Sequence, residues 1–325
     1  MSEKRRARRA AAAATAATPV DYTDSIVTFI DILGFRELVR ARSANDMAKI
    51  TRIVREAVSP YDDEDNEDVD LQVLAFSDSV IRVRRTSFLS AFFHELLAIV
   101  HMQAQLAVQG VLVRGAMTVG DVFANQSNAF GPAFVEAYEL ESRSALYPRV
   151  IIDKNLLTKF DSDSLGPNHN LMTWESAYVQ QLLDVADDGF WFVDYLRSYD
   201  TELDHTERYV DYLRAHKDRI DDASSRANTP GVAAKIHWLS SYHNRVISEL
   251  DPKQLAAHGA TPQELMASTT NQFRFSRPML EEVNEDRYWQ RTTGPKASPV
   301  GPRQLQRRMA RLGRYFLGPK KRSPL

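Results

Sequence analysis

The 325-residue chain contains no cysteine. That absence excludes a disulfide framework, a thiolate metal site and a cysteine nucleophile together, and a reducing cytoplasm fits it. Long apolar runs are also missing. The longest candidate, residues 92–100, is broken by His94 and Glu95, so no bilayer-spanning segment is expected. Net charge is close to absent at -2, yet it conceals local asymmetry. Lys4, Arg5, Arg6, Arg8 and Arg9 crowd the start, residues 62–70 are almost entirely acidic, and only basic charges follow Lys296. Such runs are usually solvated tails and loops. The arginine-alanine start is too weakly apolar for an export core and reads as a disordered tail.

What is present includes ample apolar sequence, 43% of the chain, enough for a substantial core. One stretch organises the rest: Ile26-Val27-Thr28-Phe29-Ile30-Asp31-Ile32-Leu33-Gly34-Phe35. It reads as an apolar strand running into a glycine turn with one carboxylate at its end. An ionised carboxylate in such surroundings needs a cation or several donors. On this stretch alone, capping of the next helix and metal binding are both open. A second carboxylate, Asp78, sits at the tip of the expected hairpin over residues 71–83, turning at Ser77-Asp78-Ser79.

Helical spacing of apolar residues predicts one amphipathic helix over 36–58 and a helix apolar on most of its circumference over 86–109. His94 and His101, with no third ligand in view, read as structural or surface residues. Residues 111–123 read as a strand carrying Arg114, a turn at Gly120-Asp121 and the start of its partner. A helix follows Gly131-Pro132, then a strand at 150–152, a short helix at 155–160 and a hairpin turning at Asp187-Asp188-Gly189. Two long helical segments are expected near 199–221 and 231–250. Four regions result: a basic tail at 1–21, a catalytic domain at 22–197, a helical extension at 198–251 and an irregular basic tail at 252–325. Within the last, residues 303–322 read either as a short basic amphipathic helix for nucleic acid or membrane, or as a solvated tail, with nucleic acid disfavoured.

The order strand, helix, hairpin, helix, strand, helix, strand describes an α+β sandwich of the ferredoxin-like kind. In that topology Asp31 and Asp78 reach the same sheet edge. Two facing carboxylates repel unless a divalent cation lies between them, and Mg2+ or Mn2+ is the natural occupant. The amides of Leu33, Gly34 and Phe35 would lie at a helix start suited to phosphate.

Phe-Ile-Asp-Ile-Leu-Gly-Phe at 29–35, Phe76-Ser77-Asp78, Val113-Arg114-Gly115-Ala116 with Val119-Gly120-Asp121-Val122, and Phe130-Gly131-Pro132-Ala133 before Leu140-Glu141 resemble, in order and spacing, the catalytic core of the class III nucleotidyl cyclases. The resemblance covers residues 24–160 and reaches toward 196. It implies that Asp31 and Asp78 bind two Mn2+ or Mg2+ ions per site, that the Ile32 carbonyl reaches the second ion, and that Gly34 and Phe35 cradle phosphates.

Two departures accompany the match. Leu74 stands where purine cyclases place a base-reading lysine, and Val135 and Glu139 stand where they place an asparagine and an arginine. Either the chain is inactive, or it uses another base and another cation. With Tyr147-Pro148-Arg149, the same motifs resemble the pyrimidine cyclases of bacterial antiphage (Pycsar) systems. That resemblance implies a cytoplasmic homodimer converting UTP to cyclic UMP, or CTP to cyclic CMP, as a signal to a separate effector. Arg114 is then the first candidate for the missing cation, followed by Arg82, Arg143 and Arg149. Tyr138 and Tyr147 could stack on a small base, or serve the core. The rival reading is a degenerate cyclase fold that binds nucleotide or dimerises.

Overall fold

The computed structural model describes residues 20–58, 70–162, 175–203, 206–227 and 229–268. The tail at 1–19, the acidic residues 62–69 and the basic segment 303–322 lie outside the described residues.

Strand β1 (Thr23–Ile32) is buried along most of its length. It is central because both faces of its apolar run need cover, and its neighbours lie on either side. The hairpin β2 (Leu71–Phe76) and β3 (Ser79–Arg85) flanks one side, and β4 (Val113–Ala124) flanks the other. The hairpin turns at Ser77, whose φ of 55° lies in the left-handed region. The sheet continues through β6 (Val150–Ile152), β8 (Trp191–Val193) and β7 (Leu183–Val185), in the order β2-β3-β1-β4-β6-β8-β7, with β5 (Ala129–Phe130) pairing β4. Within that path β4 and β6 run parallel and the other pairs antiparallel. The first four strands have the ferredoxin-like order 2-3-1-4, so the fold is mixed α+β, as the element order predicts.

Between β1 and β2 the chain forms two helices where the spacing predicts one: α1 (Phe35–Ala41) and α2 (Ala44–Val58). Arg42 is extended, and the Ser43 hydroxyl accepts from the Asp46 amide at 3.2 Å. A serine cap therefore restarts the helix. Helix α3 (Ala91–Val108) begins five residues later than its periodicity suggests, after Ser90 at φ 52°. It is the described helix long and apolar enough to cross a membrane, and 61% of it is buried inside the protein, as a core helix requires.

The expected turn at Gly120-Asp121 does not form. Both residues continue the ladder, opposite Ser25 and Asp24 of β1. The chain reverses instead at residues 125–128, where the Asn125 side chain accepts from the Ser127 and Asn128 amides. Helix α4 (Pro132–Ser144) then crosses the second face of the sheet, on a core of Val27, Phe29, Ile81, Val83, Val122, Ala133 and Ala137.

Beneath the other face lies an ion-pair network. Glu95 of α3 is fully buried, accepts from Thr28 of β1 at 2.9 Å and from Arg82 Nε at 2.8 Å, and pairs with Arg84 Nε at 3.2 Å. These partners hold its carboxyl at about 2, against an ordinary 4.5, although burial opposes them. Arg82 is consumed in this contact, as a structural residue.

After α5 (Lys154–Asp161), α6 (Glu175–Gln181) and the β7–β8 hairpin, a short helix α7 (Tyr195–Ser198) leads into α8 (Thr206–Arg226) and α9 (Pro230–Glu249). These helices share the principal core: Tyr209, Leu213, Leu239 and Val246 belong to the same apolar cluster as Ile26 and Val150. A buried hydrogen-bonded chain ties them together. Tyr195 Oη lies 2.8 Å from His216 Nε2, the two Nδ1 atoms of His216 and His243 are 3.0 Å apart, and His243 Nε2 lies 2.9 Å from the Leu265 carbonyl. Residues 252–268 are not irregular. They form α10 (Pro252–Ala257) and α11 (Pro262–Leu265), capped by Asp251 and Thr261, with Leu255 and Leu265 buried.

Two outcomes follow for stability. Glu95→Gln removes the buried negative charge that Arg82 and Arg84 face, and urea unfolding should show a loss of roughly 3–5 kcal/mol at neutral pH. Because the folded carboxyl titrates below its ordinary value, its contribution is complete above about 4.5 and disappears as pH falls toward 2, so the gap between variant and parent should narrow over that range. Gly115→Ala places a Cβ 2.6 Å from the Phe29 carbonyl, inside the β1–β4 ladder. Thermal unfolding should report a destabilisation of about 1–3 kcal/mol.

Candidate functional site

Register places the site. On β1, Asp31 stands opposite Ser79 of β3 and Arg114 of β4. The Ile32 amide donates to the Asp78 carbonyl at 2.9 Å, which fixes the hairpin tip beside the end of β1. Side chains alternate along β1, so Asp31 projects with Val27 and Phe29 toward the face that α4 covers. There it meets Glu141, on the buried side of α4 with Ala133, Ala137 and Ser144.

Arg114 holds these carboxylates together. Its Nε donates to Asp31 Oδ2 at 3.2 Å and lies 2.9 Å from Glu141 Oε1, while Nη1 donates to the Ala145 carbonyl at 3.2 Å. The single Nε hydrogen is directed at Asp31, which leaves buried Glu141 Oε1 with an ion-pair contact and no hydrogen bond. Glu141 is only 3% exposed. Its carboxyl is pushed up to about 7, chiefly by burial, with Asp31 and Asp78 adding to the rise and Arg114 opposing it. Burial also raises Asp31, against the pull of Arg114. Two carboxylates thus share one guanidinium, with a third, Asp78, within electrostatic reach of both.

That donor set suits a hard divalent cation: carboxylate oxygens, one of them buried and without a hydrogen bond. Among the described residues no group of three or more His, Asp and Glu side chains already stands at metal-binding spacing. The sequence-based expectation assigns such an ion to Asp31, Asp78 and the Ile32 carbonyl.

The other expected residues divide clearly. Gly34 adopts φ 74° and opens α1, and a side chain there would meet nothing within 4 Å. The Leu33 amide is not available to a phosphate, because it donates to the Leu112 carbonyl at 2.8 Å. Arg143 pairs with Glu139 on the surface at 3.0 Å. Arg149 is wholly buried against Asp188, with its guanidinium 5.2 Å from the Trp238 ring centroid. Tyr147 stacks on Trp238 at 5.5 Å and 8°, a packing role. Tyr138 remains half-exposed, its ring edge-on to Phe29 at 5.4 Å. Val135 is 52% exposed. Of the four cations considered from sequence, Arg114 is the one in contact with Asp31.

Two residues were given no site role from sequence, Glu141 although it closes the motif Leu140-Glu141, and Lys235. Glu141 could have been found as the carboxylate on the apolar stripe of α4. Lys235 of α9 lies within electrostatic reach of Asp31, Arg114 and Glu37, and its signal was a lysine three residues before Trp238 and seven before Tyr242, on the apolar face.

No protein-family model and no curated protein matches the chain. Among solved structures, it is similar to a bacterial light-regulated adenylyl cyclase, at 17% identity over 43% of this chain and 80% of that one, with a TM-score of 0.33. It is similar to the adenylyl cyclase CyaB from P. aeruginosa, at 15% identity over 53% of this chain and 94% of that one, with a TM-score of 0.35. The guanylate cyclase domain of RhGC from Catenaria anguillulae, in complex with GTP, matches at 12% identity over 54% of this chain and 98% of that one, with a TM-score of 0.34. Likeness at this level transfers neither activity nor residue roles. The α+β topology stands on the chain's own strand pairings.

Proposed function

We propose that the chain is a nucleotidyl cyclase acting on a pyrimidine nucleoside triphosphate, UTP before CTP, and releasing the 3',5'-cyclic nucleotide and pyrophosphate. The observation that carries this reading is the gathering of Asp31, at the end of β1, and Asp78, in the β2–β3 turn, beside the desolvated Glu141. An edge so charged favours a cation-dependent ligand, and a triphosphate is such a ligand.

The reaction is an intramolecular phosphoryl transfer. A bond forms between the ribose 3'-oxygen and the α-phosphorus, the bond from that phosphorus to the bridging oxygen breaks, the hydroxyl proton passes to solvent, and pyrophosphate departs. Divalent cations bound by the carboxylates would acidify the hydroxyl and offset the triphosphate charge. Asp31 and Asp78 would hold them, with the Ile32 carbonyl as a further ligand. The amides of Gly34 and Phe35 meet phosphate oxygens, and Arg114 faces the developing charge.

The lack of a purine-reading lysine at Leu74 supports the pyrimidine reading, as does the resemblance to antiphage pyrimidine cyclases, which also supports a role in signalling infection to a separate effector. A homodimer is supported by the half-exposed apolar side chains Tyr22, Phe76, Phe130, Val135 and Tyr138. A second reading, a nucleotide-binding or dimerising module without turnover, is favoured by Val135 and Glu139 at the positions of the usual asparagine and arginine.

Incubation of the full chain with each of the four ribonucleoside triphosphates and Mn2+ or Mg2+ tests this, with cyclic nucleotide and pyrophosphate as readouts. A cyclic pyrimidine is expected from the parent chain, and Asp31→Asn and Asp78→Asn should each lower turnover roughly 100-fold or more. Binding of triphosphate without turnover would select the module; a cyclic purine would overturn the base assignment. Arg114→Ala should lower kcat more than it changes KM, because the group is assigned to the transition state. An equal loss in the binding of unreacted triphosphate would assign it to the ground state.

A further inference from the structure

Helix α9 packs on the segment that leads into β6 and on Phe192 of β8. The Trp238 ring stacks on Tyr147, and the Arg149 guanidinium lies beneath it at 5.2 Å. The Arg149 carbonyl in turn accepts from the Gly115 amide at 3.0 Å, one residue from Arg114. Lys235 lies three residues before Trp238, on the same face of the helix. Its ammonium is within electrostatic reach of Asp31, Glu37 and Arg114. Among the described residues Lys235 has no hydrogen-bond or ion-pair partner, although it is partly buried.

The other cations near the edge are more constrained. Arg114 spends Nε on Asp31 and Nη1 on Ala145, and Arg149 is enclosed by Asp188 and aromatic rings. Lys235 keeps three donors and a mobile stem. A half-desolvated ammonium beside surplus carboxylate charge is placed to receive an anion that arrives with its own cations, since it offsets charge that the carboxylates cannot.

We propose that Lys235, contributed by the helical extension, binds the polyphosphate of the substrate at the Asp31–Asp78 edge. This deepens the cyclase reading and rests on it. It gives α8 and α9 a function: docked on the sheet, they complete the phosphate-binding end of the site.

The test is binding, measured by calorimetry on the full chain with Mn2+ and two probes, non-hydrolysable UTP and inorganic tripolyphosphate. Lys235→Met should weaken both about 10- to 100-fold, Lys235→Arg should restore most of the loss, and thermal unfolding should be unchanged in both variants. In the parent chain, bound tripolyphosphate should protect Lys235 from acetylation by acetic anhydride, read by mass spectrometry; this needs no variant. Binding by the parent that is unaltered in Lys235→Met, or acetylation unaffected by tripolyphosphate, overturns the role of Lys235 and leaves the cyclase reading standing. Failure of the parent to bind either probe overturns both.

Discussion

The register of β1 against its two neighbours is the constraint on which the site depends. It places Asp31 opposite Arg114 on one side and Ser79 on the other. Because side chains alternate along a strand, a slip of one residue would turn Asp31 into the apolar layer against α3 and bring Ile32 to the site. Two features oppose that slip. On one face Thr28 and Arg82, paired across β1 and β3, converge on buried Glu95. Within the ladder, Gly115 lets the β4 backbone approach the Phe29 carbonyl more closely than any side chain would allow.

The two buried acidic groups show how burial acts with and without partners. Glu95 is desolvated completely and remains ionised, because two guanidinium groups and a hydroxyl meet it. Glu141 has one guanidinium, shared with Asp31, and two further carboxylates nearby, so its carboxyl rises to about 7. The first arrangement is closed and supports the fold. The second is under-compensated at the open end of the sheet, which is the electrostatic difference between a structural ion pair and a site prepared for added positive charge.

Much of this was legible in the chain. The apolar run into Asp31-Ile32-Leu33-Gly34, the hairpin tip at Asp78 and the lone arginine of β4 gave the strand order and the meeting of the two aspartates. Local signals misled where tertiary pairing overrode them. Gly120-Asp121 carries turn residues, yet the ladder to β1 runs straight through it, and Asn125 makes the turn. The break at Ser43 was visible as a capping serine with Asp46 three residues on, but the apolar periodicity on both sides hid it. Glu141 and Lys235 were obscured for a different reason. Each is one charged residue on an apolar helical face, and only the packing of α4 and α9 reveals that both faces look toward the same edge.

The helical extension is part of the same argument about burial. Its aromatic residues enter the core of the sheet, and its buried polar groups are satisfied across element boundaries: Tyr242 donates to Asp194 at 2.6 Å, Tyr209 donates to the Leu196 carbonyl at 3.0 Å, and the His216–His243 pair runs from Tyr195 to Leu265. Detaching α8 and α9 would expose these groups and strand their partners, so the extension and the sheet unfold as one unit. A segment joined to the core this firmly holds whatever it presents to the site at a fixed distance from β4. The Trp238–Tyr147–Arg149 stack therefore ties the extension to β4 one residue from Arg114, through the Gly115 amide and the Arg149 carbonyl.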